Sequence, residues 1–287
     1  WLAKAIILPI CFSVILFRAQ RYRKMRKTQS GTCVKIQKAL PLPAKKNTIV
    51  MQKDTRPTIL ITNDDGYQAQ GIRFLADLMK GLGNCIIVAP DSARSGAACC
   101  ITPTHPVSVR KIEDGIYACS GTPVDCVKIA LEKILPCRPD LVVSGINHGD
   151  NASISLHYSG TVGAVLEACM KGVPAIAYSL RTHKKECDFT PYAEVAKEWA
   201  ARVLEEGLPE DTCLNINFPE VERLEGSRVC RMARGMWHTE WLDAGIDSEG
   251  KNIYTLTGTF CNLEPEATDT DYWTIDHGMA AITPLTL

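Results

Sequence analysis

Two adjacent carboxylates stand at the end of a short apolar segment. Thr58–Thr62 is a β-rich apolar run, and Asn63, Asp64, Asp65 and Gly66 follow it directly. Neighbouring carboxylates repel each other, and a bound divalent cation relieves that repulsion. The same residues are also typical of a polar turn in which an Asp caps the next helix. The segment alone leaves both interpretations open.

Two further segments offer oxygen and N–H groups. Ser95 and Gly96 follow a second apolar run, and backbone N–H groups beside a glycine can hold an anion, although a surface loop is the simpler interpretation. Asn147 offers an amide oxygen within the polar segment 144–151, which we predict to be a loop. His148, in the same segment, could be a ligand or an acid, but such a histidine more often packs or donates a hydrogen bond.

A helix start supplies the complementary charge. Ser159, Gly160 and Thr161 precede an apolar helical pattern that ends at Met170. The free N–H groups and the dipole of a helix N-terminus attract anions, and the two hydroxyls add donors. Ser and Thr are also preferred as N-caps, and the two roles are compatible. We expect these residues to act on an anion rather than on a metal.

An alternation of strand and helix patterns brings these segments to one edge of a sheet. Strands are predicted at 58–62, 85–89, 141–143, 173–178 and 213–218, with helices at 72–82, 124–135, 161–170 and 192–204. The pattern predicts an α/β fold, Rossmann-like, with a mainly parallel sheet and helices on both faces. Strands at 228–232 and 252–259 predict a smaller β-rich C-terminal section. Ligands bind such sheets at the carboxyl ends of the strands.

Composition narrows the class of protein. Of the 287 residues, 46% are hydrophobic and 22% charged, which excludes a disordered chain and a polytopic membrane protein. The net charge is zero, but residues 1–50 hold eleven Lys or Arg and no Asp or Glu, so the rest of the chain is acidic. An acidic domain lacks the basic face that binding to duplex nucleic acid requires.

Cysteine usage favours a reducing compartment. The thirteen Cys residues include no C-x-x-C pair, which argues against a structural zinc site. Four of them lie in or beside apolar patterns and are predicted to be small buried side chains: Cys85, Cys126, Cys169 and Cys213. We therefore expect a cytoplasmic protein without a disulfide scaffold.

We predict that residues 1–50, a basic segment, do not form a domain. Their apolar run at 5–17 is shorter than the ~20 residues that span a bilayer, and a basic cluster follows it. A membrane anchor, a basic tail and upstream sequence that is not native to the protein are the three interpretations. We favour the last, with a start at Met51, a domain over 51–287 and no association with membranes.

A series of short motifs resembles the SurE family of stationary-phase survival proteins. The motifs are NDDG at 63–66, APD at 89–91, RSG at 94–96, GTPVDC at 121–126, SGIN at 144–147 with Gly149 and Asn151, YSGT at 158–161, LNIN at 214–217 and ITPL at 282–285. The resemblance covers the chain from about residue 58 onward. Family members usually continue past the last motif with residues of the subunit interface, so we expect the domain to be truncated at its C-terminus.

The resemblance implies an activity and a set of site residues. The activity is a metal-dependent phosphomonoesterase, a 5′-nucleotidase acting on nucleoside 5′-monophosphates, with 3′-monophosphates as an alternative, in a homodimer or homotetramer. Asp64 and Asp65 would be catalytic and would hold the metal with Ser95 and Asn147. The phosphate would be held by Ser95, Gly96, Ser159, Gly160 and Thr161. A ligand set made only of oxygens favours Mg²⁺ or Mn²⁺ over zinc.

Other classes of α/β protein fit the residues less well. An aspartyl-phosphate phosphatase, in which Asp64 itself attacks phosphorus, has two Asp separated by one residue, whereas here they are adjacent. A non-enzymatic receiver module would be about half as long and would need a late Lys, where this chain has Ser179, Leu180 and Arg181. No G-x-G-x-x-G follows the first strand, which disfavours a dinucleotide-binding module.

Overall fold

The computed structural model describes residues 56–287 except 183 and 185, so the prediction about residues 1–50 lies outside the described residues. The described residues form thirteen strands: β1 (Thr58–Thr62), β2 (Asn84–Pro90), β3 (Val109–Glu113), β4 (Ile116–Cys119), β5 (Leu141–His148), β6 (Ala175–Leu180), β7 (Thr212–Phe218), β8 (Ser227–Val229), β9 (Gly235–His238), β10 (Trp241–Ile246), β11 (Asn252–Leu256), β12 (Thr259–Asn262) and β13 (Ala280–Thr286).

Nine of the strands form one sheet in the order β3-β4-β2-β1-β5-β6-β7-β13-β8. Every pairing from β4 to β7 is parallel, as is β13 with β8, and only β3–β4 and β7–β13 are antiparallel. The central strands read as near-continuous apolar runs because helices cover both faces of a parallel sheet. The predicted mainly parallel α/β fold is therefore confirmed. The antiparallel pairs β10–β11 and β9–β12 form the smaller C-terminal section.

Within the described part of the chain, five α-helices accompany the sheet: α1 (Gln70–Met79), α2 (Pro123–Ile129), α3 (Gly160–Met170), α4 (Ala193–Glu206) and α5 (Asp271–Asp276). Side chains alternate between the two faces of a strand, so Ala177 lies in the core beneath α2 and α3 while Tyr178 reaches α4 on the opposite face. In the part of the chain that the structure describes, no helix is both long enough and apolar enough to cross a membrane.

The main departure from the predicted elements concerns β5. The segment 144–151 is predicted to be a loop, but β5 continues to His148 because its backbone pairs with β6, Asn147 opposite Ser179. The polar residues of this segment lie at the carboxyl end of the strand. The helix predicted over 124–135 is α only to Ile129 and continues as a π-helical turn over Ala130–Ile134.

The C-terminal half contains elements that sequence patterns missed. The strand predicted at 252–259 is two strands, β11 and β12, separated at Gly258, which has a φ of 143°. Strand β10, which the sequence patterns missed, is exposed along its whole length and lacks the apolar alternation by which a strand is recognised.

Of the four cysteines predicted to be buried, Cys126, Cys169 and Cys213 are buried, whereas Cys85 is half-buried.

Tyr178 provides a test of how α4 is attached to the sheet. Its ring is fully buried and its hydroxyl donates to the carbonyl of Ala196 at 2.9 Å. We expect Tyr178→Phe to lower the free energy of unfolding by about 1–2 kcal/mol, because a buried carbonyl loses its donor. Urea denaturation measures the change, and Tyr254→Phe, on the exposed strand β11, is the matched control. Equal stability of the two variants would contradict this role.

Candidate active site

The carboxyl end of β1 places Asp64 in the interior of the protein. The Asn63 side chain closes the turn after the strand by donating from Nδ2 to the Gly66 carbonyl at 2.9 Å and accepting from the Gly66 N–H at 3.2 Å. Asp64 is 4% exposed. Burial raises the pKa of Asp64 to about 6, although a hydrogen bond from Thr161 opposes the shift; the charge of Asp65 adds to it.

The first turn of α3 packs directly against Asp64. The Thr161 hydroxyl donates to Asp64 Oδ1, and a Cβ at Gly160 would stand 2.9 Å from Asp64 Cβ. Glycine is therefore required at position 160 for this close approach. Ser159 is the N-cap, and its Oγ accepts from the Val162 N–H at 3.1 Å. The capping role anticipated for Ser159 is present, and its hydroxyl proton remains available to a ligand.

The contact that Thr161 makes differs from the expectation that its hydroxyl binds an anionic ligand and takes no part in the metal site. Here the hydroxyl is bound to a carboxylate, the group that would hold a cation. Its backbone N–H still belongs to the first turn of the helix, where N–H groups have no partner within the helix. No local pattern predicts the Asp64–Thr161 bond, because the two residues are 97 positions apart in the chain.

Asp65 lies beside His148. Burial raises the pKa of Asp65, and the neighbouring His148 opposes that shift. The His148 Nδ1 is 3.8 Å from Asp65 Oδ2, close enough for an ion pair but too long for a hydrogen bond. Oδ2 has no hydrogen-bond partner among the residues that the structure describes. The imidazole also meets the ring of Phe189 edge-on at 5.5 Å, so His148 has a packing role as well.

The remaining predicted residues line the same edge of the sheet. The N–H of Arg94 donates to the Asp64 carbonyl at 2.7 Å, which brings the neighbouring Ser95 and Gly96 to the end of β1, and both are exposed. Asn147 precedes His148 on β5, the strand paired with β1. Its Nδ2 donates to the Gly149 carbonyl at 2.9 Å, so its Oδ1 is the atom left for a cation.

These donors fit a hard cation. Within residues 56–287 as described, no three His, Cys, Asp and Glu side chains converge into a metal site. A cation here would instead rest on Asp64 and Asp65 with neutral oxygen donors, and the unpartnered Oδ2 of Asp65 is a ligand atom ready for it. Carboxylate, amide and hydroxyl oxygens are the ligands of Mg²⁺ and Mn²⁺ rather than of zinc.

Comparison with known proteins assigns the chain to a family. The sequence model of the family described as "Survival protein SurE" matches residues 59–239. The 5′-nucleotidase SurE of Phocaeicola vulgatus is 46% identical over 236 residues, which cover 81% of this chain and 91% of that protein. The 5′-nucleotidase SurE of Bacteroides thetaiotaomicron is 45% identical over 237 residues, with the same coverage of both chains.

The fold agrees with that assignment. A crystal structure of the SurE protein from Aquifex aeolicus superimposes with a TM-score of 0.71 at 38% identity, covering 80% of this chain and 93% of that one. The family model extends over the carboxyl end of β1, where Asp64 and Asp65 follow, and over α3, whose first turn meets Asp64. This chain belongs to the SurE family.

Proposed function

We propose that this chain is a divalent-cation-dependent phosphomonoesterase that releases phosphate from nucleoside 5′-monophosphates, with 3′-monophosphates as alternative substrates. One observation carries the proposal: the buried carboxylate of Asp64 touches the N-terminus of α3. A cation site and an anion site therefore meet at one point, as hydrolysis of a phosphate ester requires. Relatives that share more than two-fifths of their residues with this chain are named 5′-nucleotidases.

In this proposal Asp64 and Asp65 hold Mg²⁺ or Mn²⁺ together with the amide oxygen of Asn147 and the hydroxyl of Ser95. When bound, the cation neutralises the carboxylate pair and polarises a phosphate oxygen. The fit rests on the two carboxylates, of which one is buried and the other keeps an unpartnered oxygen. Desolvated adjacent carboxylates are costly without a counter-charge, so cation binding also relieves strain in the folded protein.

The start of α3 orients the phosphate. The N–H groups of Gly160 and Thr161 and the hydroxyl of Ser159 face the equatorial oxygens, and the N–H groups beside Ser95 and Gly96 hold the other side. These donors fix the phosphate for in-line attack by water. They stabilise the charge that develops on its oxygens during transfer.

The alternative in which Asp64 attacks phosphorus is less favoured. Phosphatases of that type have two Asp separated by one residue, whereas Asp64 and Asp65 are adjacent, and one oxygen of Asp64 already accepts from Thr161. Beryllofluoride mimics an aspartyl phosphate, and its failure to inhibit the enzyme is the result expected here.

The metal proposal is tested on Asp64. We expect Asp64→Asn to lower kcat by at least ~100-fold, because a ligand that carries half of the anionic charge at the site is lost. Excess EDTA should abolish phosphate release from AMP, and Mn²⁺ should restore it. Asp114→Asn is the control, since Asp114 is a fully exposed carboxylate paired with Lys111. Full activity of Asp64→Asn, or of the protein in EDTA, would refute the proposal.

Thr161 separates the phosphate role from the metal role. Thr161→Val keeps the shape of the side chain and removes the hydroxyl. In this proposal the hydroxyl turns its single proton from Asp64 to a phosphate oxygen when the substrate binds, and a charge-assisted hydrogen bond of that kind is worth about 1.5–3 kcal/mol. We expect kcat/KM to fall about 10- to 100-fold and inhibition by inorganic phosphate to weaken in parallel, while the Kd for Mn²⁺ changes less than about threefold. Thr161→Ser retains the hydroxyl, so its kcat/KM and its inhibition by inorganic phosphate should stay close to those of the unsubstituted protein.

The opposite pattern has a clear meaning. If Thr161→Val weakens Mn²⁺ binding in calorimetry while phosphate inhibition is unaltered, then the hydroxyl stays on Asp64 when substrate binds, and its proposed role on the phosphate is refuted.

We also propose that the protein is a homodimer or homotetramer in the cytoplasm. The β10–β11 hairpin exposes large apolar side chains that water would not stabilise: Trp241 (62% exposed), Leu242, Ile246, Tyr254 and Leu256 (65%). An isolated two-stranded hairpin is marginally stable in water, so a second copy is expected to cover it. The eleven described cysteines are free, as is usual in a reducing compartment.

The hairpin provides the test of assembly. Trp241 and Leu256 are opposite each other in the β10–β11 register, so Trp241→Ser with Leu256→Ser removes two large exposed side chains from one face. We expect light scattering to give this variant a lower mass than the unsubstituted protein. Met170→Ser, at an exposed apolar position on α3, should leave the mass unchanged. An unsubstituted protein that is monomeric would contradict the proposal.

A further inference from the structure

Buried polar side chains converge on the loop that follows β5. Asn151 is 6% exposed and makes three hydrogen bonds of 2.8 Å: its N–H donates to Asn217 Oδ1, its Nδ2 donates to Ser179 Oγ, and its carbonyl accepts from Asn215 Nδ2. We call Ser179, Asn215 and Asn217 the amide clamp. These contacts fix both the backbone and the side chain of one loop residue.

The register of the sheet explains why the clamp lies there. Ser179 is paired with Asn147 on one side and with Asn217 on the other, and the three residues form a row at the carboxyl ends of β5, β6 and β7. Register partners in a parallel sheet point to the same face, here the face that α2 and α3 cover. The proposed metal ligand Asn147 therefore belongs to the same row as two members of the clamp.

The clamped residue is in the middle of a short connection. Residues 149–152 link β5 to the 3₁₀ helix Ser153–Tyr158, which leads into the start of α3. On one side, Asn147 Nδ2 donates to the Gly149 carbonyl at 2.9 Å. On the other, the Ser153 N–H donates to Asp271 Oδ2 at 2.8 Å. The position of Asn151 thus determines how Asn147 stands relative to Ser159.

The polar atoms of the clamp are costly to keep. Asn215 and Asn217 are fully buried, and Asn215 Oδ1 and Asn217 Nδ2 have no hydrogen-bond partner among the residues that the structure describes. An unsatisfied buried polar atom destabilises the folded state, and apolar side chains of similar size would avoid that cost. Stability alone does not account for two asparagines in the interior of β7, whereas the bonds that they make to Asn151 do.

We propose that the amide clamp is a positioning element: it fixes the connection between Asn147 and Ser159, so that cation and phosphate bind side by side. The clamp residues touch neither ligand and act through Asn151. This inference rests on the proposed function, because it assigns the two ends of the connection to the metal and to the phosphate. Residues that orient a metal ligand commonly change metal affinity or activity about 10- to 100-fold.

A pair of serine variants tests the clamp. Ser179 and Ser144 are both fully buried, and both lie on the face of the sheet beneath α3. Only Ser179 bonds to Asn151, since the Ser144 hydroxyl has no hydrogen-bond partner in the described part of the chain. Both Ser179→Ala and Ser144→Ala therefore delete a buried hydroxyl, but only Ser179→Ala removes a hydrogen bond of the clamp.

We expect Ser179→Ala to weaken Mn²⁺ binding in calorimetry and to lower kcat/KM for AMP, each by about 10-fold. For Ser144→Ala, both the Mn²⁺ affinity and kcat/KM should stay within about twofold of the values of the unsubstituted protein. Thermal unfolding should place the Tm values of the two variants close together, so that lost stability does not explain the difference. If Ser179→Ala does not fold, Asn215→Ala, which removes the donor to the Asn151 carbonyl, takes its place with the same control.

The outcomes separate the two proposals. Equal Mn²⁺ affinity and equal kcat/KM in the two serine variants overturn the clamp, as does a loss in Ser179→Ala that disappears once the folded fraction is accounted for. If the unsubstituted protein binds no Mn²⁺ and releases no phosphate from AMP, the proposed function is what fails.

Discussion

The contact between Asp64 and the first turn of α3 is the constraint on which the site depends. It brings a carboxylate from the end of β1 against backbone N–H groups 97 residues later in the chain. Burial there is unfavourable for the charged carboxylate, and the positive end of the helix and the Thr161 hydroxyl offset part of that cost. The approach is possible only because residue 160 has no side chain.

The sheet order follows from the same requirement. Placing β5 beside β1 brings the ends of two strands, with Asn147 and Asp65, to neighbouring positions at one edge. The loop after β2 joins them through the bond from Arg94 to the Asp64 carbonyl, and the Ala98 N–H ties that loop to the Tyr158 carbonyl just before α3. Hydrogen bonds between backbone groups, rather than packing of the loops themselves, hold these segments around the carboxylates.

Much of the architecture could be predicted from the sequence because it follows from apolar periodicity. The strands β1, β2, β6 and β7 and the helices α1, α3 and α4 lie within a few residues of their predicted places, since each buries a continuous apolar run or stripe. The family resemblance named the candidate site residues. Only the folded structure shows which of these residues contact each other, because a contact such as that of Thr161 with Asp64 cannot be predicted from local sequence.

The elements that were missed share a physical reason. The end of β5 is polar, so its composition resembles a loop although its backbone is paired. The hairpin strand β10 is exposed on both faces and shows no apolar alternation, whereas its partner β11 lies within the strand predicted at 252–259. Local patterns report burial within the same chain. They fail where the paired end of a strand is polar and where a strand is exposed on both faces.

The position of β13 has a consequence for how the protein is made. This strand is late in the chain, yet it is inserted between β7 and β8 and pairs with both. At a synthesis rate of ~5–20 residues per second, β7 leaves the ribosome seconds before its neighbour is available. During that interval its apolar residues border an open sheet edge, which is a template for pairing with other nascent chains. Synthesis of this enzyme in quantity is thus expected to depend on chaperones that shield the unfinished sheet.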